Sequence, residues 1–395
     1  MTLLSFTSKQ IWPQVLATVH YRPTRLVLFQ TDEERESKEP AKRLREFFES
    51  GAVPDAPAVE LRQAPHDRFK DIVDALAGAA EEFGLDHGNC EMNLTGGNKL
   101  MALAAAEWCR LAGVPCFYLE RDLRLIPFEA KGADLLPQPD FKLDPHLARA
   151  IHPLALLRCQ LGGAGVTFPG QTLTLNERGS KLPEAEVGPM IKRGESFEKF
   201  MAWDVEIQEK RAGDSLELES AFVLLKLGVP RVQRGVKLAP KTIHGFGPEE
   251  GELDLVFNWL GKLWVVDCKN RRTAAQKVDA IRTEVLLSGP LSNRLSEMLR
   301  ALEGEIRERD LHPLKQDLLS VSEVGGVLGQ AICVRSNPLP CQAADFAKSR
   351  RIPVTLRESL LGDLRVILYP NQPASAEQLR ALAAARTLAV VEPRA

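Results

Sequence analysis

Over the first third of the chain, short apolar runs alternate with longer stretches in which apolar residues recur every three or four positions. This is the pattern of strands followed by amphipathic helices. Leu3-Leu4-Ser5-Phe6 reads as a strand, Pro13 to His20 as a helix opened by proline, and Leu26-Val27-Leu28-Phe29 as a second strand. A charged helix from Glu39 to Glu49 follows, then a strand at Ala58-Val59-Glu60-Leu61 and a long helix from Asp67 to Phe83. A strand from Cys90 to Leu94, a helix from Asn98 to Leu111 and a strand from Val114 to Leu119 complete the series. Repeated strand–helix units imply an α/β fold: a parallel sheet with helices on both faces, binding ligands at the carboxyl ends of its strands.

The pattern then breaks. Pro137, Pro139, Pro145 and Pro153 interrupt it, a helix is expected from Pro145 to Gln160, and Gly162-Gly163-Ala164-Gly165 ends that helix. Residues 131–190 therefore read as a partly helical linker between a first domain, 1–130, and a second, 191–395, with Asn176 to Lys192 as a loop. In the second domain Gly251-Glu252-Leu253-Asp254-Leu255-Val256-Phe257 and Leu263-Trp264-Val265-Val266-Asp267-Cys268-Lys269 form the arms of a β-hairpin around a five-residue turn, Asn258 to Lys262. Further on, Gln330 to Val334 and Ile352 to Leu356 read as strands with a helix between them, and Ser375 to Arg386 as a helix.

Length and charge narrow the possibilities. A chain of 395 residues can bury two cores, and a net charge of −2 argues against a protein that coats nucleic acid, while leaving room for a local basic patch. Seven cysteines without a CxxC pair fit a reducing compartment, and the start of the chain has no signal-peptide pattern. Nothing approaches a membrane span, so the expectation is a cytoplasmic protein. The seven histidines show neither HExxH nor HxH spacing, so none stands out as a metal ligand.

The candidate chemistry falls in two places. Polar loops follow the first-domain strands: Thr7-Ser8-Lys9-Gln10, then Gln30-Thr31, then Thr95-Gly96-Gly97-Asn98-Lys99 leading into a helix. Two glycines let backbone N–H groups approach a phosphate, and the helix N-terminus and Lys99 add positive charge. The run is neither GxxxxGK[ST] nor GxGxxG, and a plain glycine turn remains the alternative. In the second domain, strand alternation sets Glu252 and Asp254 on one side of the first arm and Asp267 and Lys269 on one side of the second. Acids gathered on an apolar ribbon repel unless a divalent cation sits between them. A surface hairpin with an Asp267–Lys269 ion pair is the alternative. Downstream, Asn270, Arg271, Arg272, Lys277 and Arg282 offer charges for flanking phosphates.

Asp254, a gap, then Asp267-Cys268-Lys269 resembles the PD-(D/E)xK nuclease signature. The Thr95-Gly96-Gly97-Asn98-Lys99-x-Met101 run, with Ser8-Lys9-Gln10 after the first strand, resembles a CARF domain, the cyclic oligoadenylate sensor of type III CRISPR defence. The two in sequence are similar to the CRISPR ancillary nucleases activated by cyclic tetra-adenylate. The resemblance implies a Rossmann-like CARF domain followed by a restriction-endonuclease-like domain, in a homodimer that cleaves DNA or RNA when the ring binds as allosteric activator. It implies Mg²⁺ or Mn²⁺ held by Glu217, Asp254, Asp267 and Cys268, with Glu217, Asp254, Asp267 and Lys269 catalytic. Glu217 comes from Gly213-Asp214-Ser215-Leu216-Glu217, for which a helix capping box is the alternative reading, and Glu219 is its neighbouring substitute. The ring would touch Thr7, Ser8, Lys9, Gln10, Thr31, Thr95, Gly96, Gly97, Asn98, Lys99 and Met101. Two other functions stay open: a non-catalytic nucleotide-responsive regulator, and a restriction or repair nuclease indifferent to cyclic oligoadenylates.

Overall fold

The computed structural model describes residues 1–120, 122–132, 134–144, 148, 151–176, 212–239, 251–269, 301, 329–339, 341–370 and 387–391. The basic residues Asn270 to Arg282, the helix expected from Ser375 to Arg386 and residues 177–192 of the expected loop lie outside them. The chain is a mixed α/β protein with two mixed sheets. It groups into two compact units: Met1–Val166 with Asn258–Leu263 and Gly325–Leu328, and Thr167–Phe257 with Trp264–Val324 and Gly329–Ala395. Among the described residues no helix is long and apolar enough to cross a membrane.

In the first unit, β1 (Thr2–Phe6), β2 (Arg25–Gln30), β3 (Ala58–Gln63), β4 (Cys90–Asn93) and β5 (Cys116–Leu119) run parallel in the order β3-β2-β1-β4-β5. They alternate with α1 (Trp12–Tyr21), α2 (Glu39–Glu49), α3 (Phe69–Phe83) and α4 (Lys99–Ala112). All five residues of β1 are buried, as a central parallel strand covered on both faces must be. In α4 the buried residues are Met101, Ala104, Ala105, Trp108 and Cys109, one stripe at helical spacing. Burying one large side chain stabilises by about 1.5–3 kcal/mol, more than propensity differences along such a helix, so packing fixes α4.

Residues 131–166 of the range expected as a linker, 131–190, group with the first unit. Antiparallel β6 (Arg124–Lys131), β7 (Asp134–Pro137) and β8 (Phe141–Lys142) extend its sheet, and α5 (Pro153–Leu161) packs beside α2. Pro137 sits on the edge strand β7, where a missing N–H costs least. Pro137 therefore belongs to an edge ribbon, and Pro153 opens a helix at its first position.

The second sheet has the order β15-β14-β13-β12-β11-β10-β16, with β9 beside β11. Its strands are β9 (Val166–Phe168), β10 (Gln171–Asn176), β11 (Val232–Leu238), β12 (Gly251–Trp259), β13 (Lys262–Lys269), β14 (Gln330–Arg335), β15 (Val354–Leu356) and β16 (Thr387–Val391). Helices α6 (Ala212–Lys226), α7 (Cys341–Ser349) and α8 (Leu360–Leu368) accompany it. Strands β13, β14 and β15 are parallel, and β10, β11, β12 and β16 pair antiparallel.

The β12–β13 turn has two residues, not five. Leu260 (φ 53°) and Gly261 (φ 78°) both adopt the left-handed conformation of a tight hairpin turn. Asn258 enforces it: its Oδ1 accepts from Gly261 N at 3.1 Å, and its Nδ2 donates to the carbonyls of Ala148 (2.8 Å) and Ile151 (3.0 Å). A left-handed leucine is unfavourable, which is why the apolar pattern alone did not mark this turn. Counting back from Trp259 and Lys262 sets Phe257 level with Trp264, whose rings stack at 5.8 Å, and Asp254 level with Asp267.

Asn258→Ala removes the side-chain donor to the Ala148 and Ile151 carbonyls, of which Ala148 keeps its bond from Ile151 N, and the acceptor of Gly261 N, and should destabilise the chain by about 1–3 kcal/mol. Chemical denaturation measures this directly; an unchanged midpoint would contradict the turn's anchoring.

Candidate functional site

In the second unit the chemistry gathers at the end of the β12–β13 ribbon. Leu253, Leu255, Val256, Val265 and Val266 are buried around Asp254 and Asp267, and Asp267 is only 8% exposed. Burial, then the charge of Asp267, pushes the Asp254 carboxyl up to about 7, against the opposing pull of Lys269 and of the Cys268 N–H. That N–H donates to Asp254 Oδ2 at 2.6 Å, and Lys269 Nζ lies 2.8 Å from Asp267 Oδ1. Two carboxylates and one ammonium thus share a patch whose other neighbours are largely apolar.

Glu217, on α6, is near enough for its charge to raise the Asp254 carboxyl further, but it forms an ion pair with Arg234 of β11 at 2.8 Å. Its neighbour Glu219 is 2% exposed and paired with Arg357, whose Nε donates to Oε2 at 2.7 Å. Cys268 turns its thiol to the other face of β13, where it donates to Ser220 Oγ at 3.8 Å. Burial holds that thiol well above its usual range. Among the described residues no three His, Cys, Asp or Glu side chains stand together as a ready metal cluster. The donor set that remains, Asp254 and Asp267, fits Mg²⁺ or Mn²⁺, which bind through one or two carboxylates and keep several waters. Cys333 and Arg335 of β14 lie level with Asp267 and Lys269; the strand expected from sequence stopped at Val334 and missed the arginine.

In the first unit the strand order reverses between β1 and β4, and a crevice opens at their carboxyl ends, the place where doubly wound sheets bind ligands. The cavity, of about 130 Å³, is lined by Thr7, Ser8, Thr31, Gly97, Asn98 and Met101 among the residues expected from sequence. Glu33, Glu36, Ser37 and His66 also line it. Thr7 Oγ1 and Ser37 Oγ share a 2.8 Å hydrogen bond, and Ser37 Oγ accepts from Thr31 N at 2.9 Å, so the serine ties the β1 loop to the β2 loop. It comes from a π-helical turn, Glu34–Lys38, whose run of charges carries no sequence signal for such a role. Asn98 caps α4, accepting from Met101 N at 2.9 Å, while its Nδ2 donates to the His66 carbonyl.

The other expected contacts lie elsewhere. Thr95 Oγ1 accepts from Leu119 N at 2.7 Å and serves the β4–β5 junction. Gly96 is packed so closely that a Cβ would collide with the Phe6 carbonyl and sit 2.6 Å from Gln14 Nε2. Its role is close approach within the fold. Lys9 forms an ion pair with Glu36 on the rim. Gln10 and Lys99 do not line the cavity either.

No family model matches the chain, and no curated protein does. Two solved structures share its fold over nearly the whole length. Can2 from Sulfobacillus thermosulfidooxidans, in complex with cyclic tetra-adenylate, aligns at TM-score 0.56 and 16% identity over 94% of this chain and 99% of that one. Protein VC1899 from Vibrio cholerae aligns at TM-score 0.55 and 14% identity, over 97% and 99%. A third, a type III CRISPR defence DNA nuclease activated by cyclic oligoadenylate, superposes less well (TM-score 0.48, 19% identity, 86% of this chain, 46% of that one), below the level at which a shared fold is claimed.

The raised Asp254 carboxyl has a measurable sign. Without metal the folded chain holds that proton more tightly than the unfolded chain, so its contribution to stability is present below the ordinary carboxylate range and is lost as pH rises through about 7. A cation bound to the carboxylate must displace the proton. Calorimetric titration with Mn²⁺ in buffers of different ionisation enthalpy should show proton release at about pH 6 that fades by about pH 8.5. Binding without release at the lower pH would exclude Asp254 as a ligand.

Proposed function

We propose that the chain is a cyclic oligoadenylate-activated, metal-dependent endonuclease of type III CRISPR antiviral defence. In this reading the first unit is a Rossmann-like CARF sensor, the second a PD-(D/E)xK nuclease domain, and the working form a cytoplasmic homodimer. The observation that carries it is the level pair Asp254 and Asp267, buried on one ribbon with Lys269 beside them, a placement that a divalent cation relieves. The fold shared along the whole chain with a protein bound to cyclic tetra-adenylate supports the sensor half of the reading.

A bound Mg²⁺ or Mn²⁺ would polarise the phosphoryl oxygen and lower the pKa of a water. Asp254 and Asp267 would hold it, with Glu217 as a third carboxylate were it to leave Arg234, and with the main chain of Cys268, whose N–H fixes Asp254. Lys269 orients the attacking water and offsets the charge that develops on the phosphorane-like transition state. In the first unit the crevice between the β1 and β4 loops takes an adenylate of the ring, with Thr7, Ser8, Thr31, Gly97, Asn98 and Met101 on its walls and Lys9 and Lys99 outside them. A four-membered ring has the symmetry to make the same contacts with two subunits, and it activates only by its better affinity for the cleaving state.

The purified chain should cut labelled DNA or RNA in Mn²⁺ only when a cyclic oligoadenylate is added. Asp254→Ala and Lys269→Ala should each lower the rate on the order of 100-fold or more while leaving ring affinity nearly unchanged. Wild-type cleavage by Asp254→Ala would remove the assignment, and cutting indifferent to the ring would remove the gating.

A further inference from the structure

Strand β14 runs parallel to β13 with Asp267 level with Cys333 and Lys269 level with Arg335, so all four side chains project from one face of the sheet. Cys333 Sγ lies 3.9 Å from Asp267 Oδ2 and 3.8 Å from Arg335 Nη1. The thiol is thus a shared neighbour of the acid and the arginine. Arg335 is only 5% exposed, yet no carboxylate lies within ion-pair distance of it among the described residues, and its one hydrogen bond there is to that thiol. A thiol is a weak, neutral acceptor. Burying a guanidinium without a counter-anion is costly, and among the described residues none meets it.

The local charge points the same way. Asp254 and Asp267 carry two negative charges, Lys269 and Arg335 two positive, and Lys269 is already paired with Asp267. Adding a divalent cation with Glu217 as its third carboxylate leaves one excess positive charge at the site, and among the described residues the positive group there with no acid partner is Arg335. The planar fork of a guanidinium matches two oxygens of a phosphodiester.

We propose that Arg335 is a substrate-binding residue that grips a backbone phosphate of the nucleic acid beside Asp267 and Lys269. This rests on the nuclease reading of the second unit and adds to it a contact that the PD-(D/E)xK signature does not include.

The test is the affinity of the full-length chain, with cyclic tetra-adenylate and Ca²⁺ in place of Mn²⁺, for fluorescent single-stranded and duplex DNA and RNA over a range of salt. Arg335→Met, which keeps the packing stem, should bind about tenfold more weakly. Its slope of log affinity against log salt should be shallower by about 1, as expected for one lost phosphate contact. Arg335→Lys should keep the slope and lose part of the affinity. Should Arg335→Met fail to fold, Arg335→Lys decides: wild-type affinity overturns the proposal and a clear loss with the slope kept supports it. An unchanged slope and affinity in a folded Arg335→Met, with the wild type cutting normally in Mn²⁺, overturns the role of Arg335 alone. A wild type that neither binds nor cuts any of these nucleic acids overturns the nuclease reading together with it.

Discussion

Two carboxylates set level on adjacent strands repel each other, and an apolar surround makes the repulsion costly because water is not there to screen it. Asp254 and Asp267 stand in that relation, and burial first, then the charge of Asp267, raises the Asp254 carboxyl. Their alignment depends on a turn far along the ribbon. With Leu260 and Gly261 as the whole turn, the two strands are in register and both acids face the same way. One residue more or less would send one of them to the opposite face. Asn258, which satisfies the turn N–H and two further carbonyls, therefore bears on the chemistry as well as on the stability of the chain.

The first unit rests on a different constraint, the reversal of strand order between β1 and β4. Connections leave these neighbouring strands in opposite directions, so their loops part and a crevice forms between them. The glycine pair after β4 has a divided role: Gly96 lets the loop lie against β1, while Gly97, at φ 74°, turns the chain into α4 along the crevice wall. Both units follow one logic, in which apolar strands fix the position of polar groups at their ends.

Much of this was legible in the sequence because strands and helices of the first unit carry clean periodicities. The helix from Glu39 to Glu49 and the strands beginning at Ala58 and Cys90 start where the pattern places them. The acids of the ribbon were legible too, since alternation along a strand is enough to sort Asp254, Asp267 and Lys269. What escaped notice depends on pairing across the fold. The β6–β8 ribbon resembled a linker because edge strands tolerate proline and polar residues. Ser37 and His66 come from segments without a motif, brought to the crevice by chain reversal. Arg335 gains its place only from its register with Lys269, and Glu217 its ion pair only from the approach of α6 to β11.

The account holds that a divalent cation belongs between two carboxylates that burial and mutual repulsion leave uncomfortable on their own. Anomalous diffraction at the manganese edge, from crystals of the full-length chain grown with Mn²⁺, tests this most directly. The account predicts a peak within coordination distance of both Asp254 and Asp267. Ordered side chains at both positions with no manganese near either would contradict it.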